Sequence, residues 1–92
     1  MIREVFVVEN PLGLHARAAG KFMRIAAQFK SEVRLARMDR DGRPEVDGKS
    51  LLEILTLAAP QGTSLRITIE GEDEQEAAVA LRRLIDRHFG EA

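Results

Sequence analysis

The sequence predicts a single α+β domain in which helices cover one side of a four-stranded antiparallel sheet. Segments of alternating apolar and polar residues, such as 32–38 and 65–70, are typical of half-buried strands. Longer segments with apolar residues at helical spacing stand between the predicted strands, and turn signals separate them. A predicted hairpin combined with helices favours an antiparallel sheet with one side covered. The predicted order is β-α-β-β-α-β-α, and 92 residues suit one domain over 1–92.

The first half of the chain predicts a strand, a helix and a hairpin. Residues 2–8 are rich in β-branched and aromatic side chains, and a turn-forming Asn-Pro pair follows them. Residues 16–29 predict a helix. A turn after 32–38 leads to a short strand over 43–47, and Pro44 marks that strand as an edge strand. In the predicted helix over 16–29, the residues expected to be buried are Ala19, Phe22, Met23 and Ala26.

The second half predicts two helices around one strand. Ser50 and Glu53 have the spacing of a capping box at the start of a helix over 50–58. The predicted strand over 65–70 ends before Gly71. A long helix over 73–88 has acidic residues early and basic residues late, as the helix dipole favours. The predicted buried stripes are Ile54, Leu57 and Ala58 in the short helix and Ala77, Leu81, Leu84 and Ile85 in the long one.

The composition excludes several classes of protein. The chain has no cysteine, so disulfides and thiol chemistry are ruled out. A net charge of −1 and four aromatic residues, all phenylalanine, give no support for nucleic-acid binding. The chain has no membrane-spanning apolar segment and no recognisable signal peptide, so we expect a cytoplasmic protein. His15 and His88 are far apart and have no clustered partners, so we expect no metal site and assign His88 no catalytic role.

The most informative segment is Gly13-Leu14-His15-Ala16-Arg17, which lies where a loop becomes a helix. A helix N-terminus presents unpaired N–H groups and a partial positive charge, and it therefore binds anions. Neutral imidazole is a nucleophile near neutral pH. Arginine can pair with phosphoryl oxygens in a bidentate manner. The segment predicts a phosphoryl-carrying His15 with Arg17 as its phosphate partner.

Four signatures together resemble the HPr family, the histidine-containing phosphocarriers of the bacterial phosphotransferase system. They are Asn10-Pro11-Leu12-Gly13-Leu14-His15-Ala16-Arg17, Gly48-Lys49-Ser50-Leu51-Leu52, Gln61-Gly62-Thr63 and Gly71-Glu72-Asp73-Glu74. The resemblance spans essentially the whole chain. It implies an open-faced β-sandwich, with four antiparallel strands and three helices on one face, in agreement with the predicted element order.

The resemblance implies that His15 is phosphorylated at Nδ1 by phosphorylated enzyme I and passes the group to an EIIA component during sugar uptake. It implies a carrier that forms a phosphohistidine, needs no cofactor and differs from a free-standing enzyme. We expect a monomer with small, transient interfaces. Two alternatives remain open: a regulatory carrier of the nitrogen-related branch, and a regulatory binding module without phosphotransfer.

Three further predictions concern the short helix and its neighbours. Ser50 is the predicted N-cap of the short helix. The resemblance also implies that Ser50 is a site of regulatory phosphorylation by an HPr kinase/phosphorylase. The leucines outside the buried stripe, Leu51, Leu52 and Leu55, predict an exposed docking patch near the histidine. We expect Lys21 and Arg24 to form a basic rim beside this patch, which would attract acidic partners.

Two positions depart from the family pattern. Ala18 stands where proline is common, and we expect the loop geometry to survive because alanine is a good helix former. Glu53 stands where glycine or lysine is common, which bears on the choice of partner.

Overall fold

The computed structural model describes residues 1–91. The strands are β1 (Ile2–Val7), β2 (Glu32–Arg37), β3 (Val46–Asp47) and β4 (Ser64–Glu70), and the helices are α1 (Ala16–Ala26), α2 (Leu51–Leu55) and α3 (Glu74–Asp86). A short 3-10 turn over His88–Gly90 follows α3. The order β-α-β-β-α-β-α confirms the prediction.

The four strands form one antiparallel sheet in the order β1-β4-β2-β3. β4 lies inside the sheet, with Ile67 opposite both Glu4 of β1 and Leu35 of β2. β3 is an edge strand, but it is shorter than the predicted 43–47. Gly42 and Arg43 have φ values of 71° and 42°, so left-handed turn backbone occupies the first position of the predicted strand.

The hydrophobic core lies between the sheet and the helices. Alternate residues of β2 and β4 point into it, as the period of a half-buried strand requires. In α1 the predicted stripe is confirmed, although Met23 is only partly buried. In α3, Leu84 and Ile85 pack against the core but are also only partly buried. The largest fully buried apolar side chains are Phe22, Phe89, Leu35, Ile54, Leu57, Leu65, Ile69 and Leu81.

Two helices end earlier than their sequence patterns predict. α1 ends at Ala26 rather than at 29, and just beyond it the backbone N–H groups of Lys30 and Ser31 donate to the Asp73 carboxylate. α2 ends at Leu55 rather than at 58. Ala58 takes a left-handed backbone with φ of 47°, so it leaves the predicted buried stripe and is exposed.

α3 also ends before the predicted residue 88. Asp86 is its last residue, and His88, Phe89 and Gly90 then have φ values of 51°, 56° and 75°. Three consecutive left-handed residues turn the chain away from the helix axis. In the described part of the chain, no helix is long and apolar enough to span a membrane.

Candidate phosphoryl-accepting site

The loop between β1 and α1 is held against the segment that follows α2. Val8 donates its N–H to the carbonyl of Thr63 at 2.9 Å, and Leu14 donates to the carbonyl of Ala59 at 2.9 Å. Gly13 lies between them with φ of 69°, and a Cβ atom there would lie 2.6 Å from the Ala59 carbonyl oxygen. The loop therefore requires glycine at this position, and its two anchors fix where α1 begins.

His15 is the N-cap residue of α1. Its backbone is extended, with φ of −80° and ψ of −179°, and its Nδ1 atom accepts the backbone N–H of Arg17 at 3.3 Å. A ring nitrogen that accepts a hydrogen bond carries a lone pair and no proton. Nδ1 thus faces the first turn of α1, where the N–H groups and the helix dipole favour negative charge. Ala18 is fully buried in this turn, and α1 starts normally with alanine in that position.

The other ring nitrogen of His15 contacts a residue from the far end of the chain. Nε2 lies 2.6 Å from Oε2 of Glu91, and the amide of Asn10 donates to Oε1 of Glu91 at 3.0 Å. The same Asn10 amide donates to the carbonyl of Gly13 at 2.6 Å. Partial burial raises the pKa of Glu91, but the hydrogen bonds from Asn10 and His15 and the nearby charge of Arg17 outweigh it. The pKa of Glu91 is therefore below its ordinary value, and the carboxylate form is favoured.

Neither Asn10 nor Glu91 was predicted as a site residue. Asn10 reads as a turn residue in the sequence, and Glu91 is one of 15 acidic residues, separated from His15 by 76 positions. No local motif connects them. The left-handed turn after α3 brings Glu91 to the histidine, and nothing in the spacing of apolar residues signals such a turn.

The predicted basic rim is only partly present. Arg17 and Arg24 are exposed on α1. Lys21 is half-buried, and its ammonium group donates to the carbonyl of Phe89 at 2.9 Å. This lysine connects the turn after α3 to α1, so its ammonium group is already engaged within the protein.

The structure separates the three leucines of the predicted docking patch. Leu52 is 78% exposed, whereas Leu51 and Leu55 are partly buried and pack against the core. The expectation that all three are exposed is therefore wrong for Leu51 and Leu55. A helix of five residues has little surface that faces away from both the sheet and α1.

Ser50 caps α2, but the predicted reciprocal capping box does not form. The Ser50 hydroxyl accepts the N–H of Glu53 at 3.2 Å. The carboxylate of Glu53 accepts the N–H of Asp47 at 3.1 Å instead of the N–H of Ser50. Ser50 donates its N–H to the Asp47 carbonyl at 3.1 Å. The tight turn before α2 therefore satisfies the N–H group that a Glu53 carboxylate would accept in a reciprocal capping box.

The arrangement around His15 suits one kind of chemistry. A partly exposed imidazole whose unprotonated Nδ1 faces a helix N-terminus, next to an exposed arginine, can accept a phosphoryl group and hold its oxygens. Within residues 1–91 there is no group of three or more histidine, cysteine or acidic side chains that could bind a metal ion.

Comparison with known proteins finds matches over nearly the whole length of this chain. The family model described as the PTS HPr component phosphorylation site matches residues 2–87. The chain is 44% identical over 91 residues to the phosphocarrier protein HPr of Neisseria meningitidis serogroup B, covering 99% of this chain and 98% of the relative. It is 48% identical over 84 residues to that of Pseudomonas aeruginosa, covering 89% and 88%. A crystal structure of HPr from Thermoanaerobacter tengcongensis superposes with a TM-score of 0.89 at 36% identity, covering 100% of this chain and 99% of that one.

The fold and the helix-capping histidine define a small phosphocarrier. The chain belongs to the HPr family of the phosphotransferase system.

Proposed function

We propose that this chain carries a phosphoryl group on Nδ1 of His15, accepts it from phosphorylated enzyme I and passes it to an EIIA component in sugar uptake. The observation that supports this role most strongly is the position of Nδ1, whose lone pair faces the N-terminus of α1. An incoming phosphoryl group meets the backbone N–H groups of the first turn there. The protein acts in the cytoplasm as a monomer that meets its partners in turn.

The proposed transfer requires Nδ1 to give up the hydrogen bond that it accepts from the Arg17 N–H. The Nδ1 lone pair attacks phosphorus, the bond from phosphorus to the donor breaks, and the electrons of that bond leave with the donor. The phosphoryl oxygens then replace Nδ1 as acceptors of the N–H groups of α1. Arg17 is exposed in the first turn, and its guanidinium can swing to the phosphoryl oxygens.

The test is phosphorylation with purified components. The chain is incubated with enzyme I and radiolabelled phosphoenolpyruvate, and protein-bound phosphate is measured together with its lability in acid. Wild type is expected to take up one acid-labile phosphate, and His15→Ala none. Arg17→Lys keeps the charge but loses the bidentate geometry, so its rate is expected to fall. Uptake by His15→Ala equal to that of wild type, or no uptake by wild type, contradicts the proposal.

We also propose that Ser50 regulates docking. Leu52 follows shortly after Ser50 and is strongly exposed, which suits a contact with enzyme I or EIIA. A phosphate on Ser50 adds about 1.5 to 2 negative charges beside Leu52. That charge disfavours an acidic partner that Arg17 and Arg24 attract. An HPr kinase/phosphorylase is the proposed source of this phosphate.

A further inference from the structure

The contact between Glu91 and His15 belongs to a built arrangement around the imidazole ring. Both carboxylate oxygens of Glu91 are in use, one against Nε2 of His15 at 2.6 Å and one against the fully buried Asn10 at 3.0 Å. Asn10 must direct its NH₂ group toward Glu91 and Gly13, because both of these partners offer oxygen acceptors. The orientation of the carboxylate is therefore fixed by a residue of the same loop that carries the histidine.

The backbone that carries Glu91 is held at several points. Phe89 is 1% exposed and anchors the turn in the core. Lys21 of α1 donates to the carbonyl of Phe89, and His88 pairs with Glu9 at 3.1 Å. Left-handed backbone at His88 and Phe89 is unfavourable for residues with side chains and persists where surrounding contacts hold it. These contacts hold the segment over 87–91 against the loop and α1.

We propose that Glu91 is a positioning residue for His15, which holds the proton on Nε2 and stabilises the positive charge that the ring gains when Nδ1 bonds to phosphorus. The inference rests on the proposed function of His15. Neutral imidazole has one proton, and the Nε2–H bond to Glu91 together with the Arg17 N–H at Nδ1 places it on Nε2. Nδ1 is then the nucleophilic atom.

The charge balance of the transfer explains why a carboxylate suits this place. When Nδ1 forms its bond to phosphorus, the donor leaves with the electron pair of the broken bond, and the proton on Nε2 stays. The ring becomes a cation next to the Glu91 carboxylate. When an acceptor later takes the phosphoryl group, the ring returns to its neutral form with the same proton on Nε2. Glu91 thus favours the phosphorylated state without exchanging a proton.

The test compares wild type with Glu91→Ala and Glu91→Gln. The glutamine variant keeps an oxygen that can accept the Nε2–H but lacks the charge, whereas the alanine variant loses both. Glu72→Gln is the matched control, because it removes one carboxylate from an exposed ion pair with Lys30. Circular dichroism and thermal unfolding establish that each variant folds.

Two readouts separate positioning from a merely structural role. The first is the equilibrium fraction of phosphorylated protein at a fixed ratio of phosphorylated to free enzyme I. The second is nuclear magnetic resonance of the ring nitrogens in the unphosphorylated protein at about pH 8, above the ordinary titration range of imidazole. At metal sites, removing a carboxylate that orients a ligating histidine typically costs about 10- to 100-fold in affinity or activity, and we expect an effect of similar order here.

We expect the equilibrium constant for phosphorylation to fall about tenfold or more in Glu91→Ala, and less in Glu91→Gln, with Glu72→Gln equal to wild type. The Nε2–H proton is expected to be protected from exchange in wild type and in Glu91→Gln, but not in Glu91→Ala. An unchanged equilibrium and unchanged protection in Glu91→Ala overturn the inference and leave the carrier function standing. If wild type takes up no phosphate, the carrier function fails, whereas the proton measurement still reports on the contact with Glu91.

Discussion

At the scale of single residues, the site depends on what touches each side of one imidazole ring. The Arg17 N–H faces Nδ1, and Glu91 faces Nε2. The position of His15 at the start of α1 could be predicted from sequence, since the motif and the change from loop to helix are local. The position of Glu91 could not, because it depends on left-handed backbone at His88 and Phe89, which have no strong preference for that conformation.

Gly13 offers a residue-scale prediction. In Gly13→Ala the left-handed backbone costs about 1–2 kcal/mol, and the new Cβ atom would also collide with the Ala59 carbonyl oxygen. We expect a lower free energy of unfolding and slower phosphorylation of His15, measured by urea unfolding and by phosphate uptake.

Gly42→Ala is the matched control for this prediction. Gly42 has φ of 71°, close to the 69° of Gly13, but within residues 1–91 nothing lies within 4 Å of the Cβ position. Its cost is expected to be the backbone strain alone, with phosphorylation unchanged. Equal unfolding free energies and equal uptake in the two variants would mean that the contact with Ala59 does not position the loop.

At the scale of secondary-structure elements, the type and order of elements followed from sequence better than their ends did. Alternation in β2 and β4 and the apolar stripe of α1 are strong local signals. The backbone that follows α1 and α2 is held in ways that the helices do not signal: Asp73 binds the N–H of Lys30 after α1, and Ala58 takes a left-handed backbone after α2.

Substitutions of Ser50 can separate the effect of the helix cap on stability from the effect of a negative charge on partner binding. Ser50→Ala loses the side-chain acceptor for the Glu53 N–H and is expected to lower the free energy of unfolding by about 1 kcal/mol. Ser50→Asp keeps an N-cap acceptor, so its stability is expected to stay close to that of wild type. Its affinity for enzyme I is expected to fall, because a negative charge stands beside Leu52. Urea unfolding and titration calorimetry measure the two effects, and unchanged affinity in Ser50→Asp argues against regulation by charge.

At the scale of the whole molecule, carboxylates connect parts of the chain that are distant in sequence. Asp73 accepts hydrogen bonds from the Ser31 hydroxyl and from the N–H groups of Lys30 and Ser31, and these bonds lower its pKa below 3.8. Hydrogen bonds from the N-terminal amine and from Gly71 lower the pKa of Glu74 below 4.5. These contacts join the end of α1 and the start of β1 to the start of α3.

Acid is therefore expected to destabilise the fold. A carboxyl group with a lowered pKa in the folded state stabilises the protein fully above its unfolded pKa, and this contribution is lost as the pH falls through the folded value. The free energy of unfolding is expected to decrease from about pH 4.5 downward. Asp73→Asn removes one such group, so urea unfolding at about pH 7 and about pH 3 should show a smaller difference than in wild type. An equal difference would mean that the Asp73 contacts are absent in solution.

The sheet order also determines when during synthesis the site can exist. β1 pairs with β4, and the loop before α1 is anchored to residues 59 and 63, so the histidine loop needs chain from some 50 residues later. Contacts between segments so far apart form late, since the loop that they close is long. A nascent chain whose β4 is still inside the ribosome has the histidine but not the site. The proposed phosphoryl donor can therefore meet a competent acceptor only after β4 has emerged.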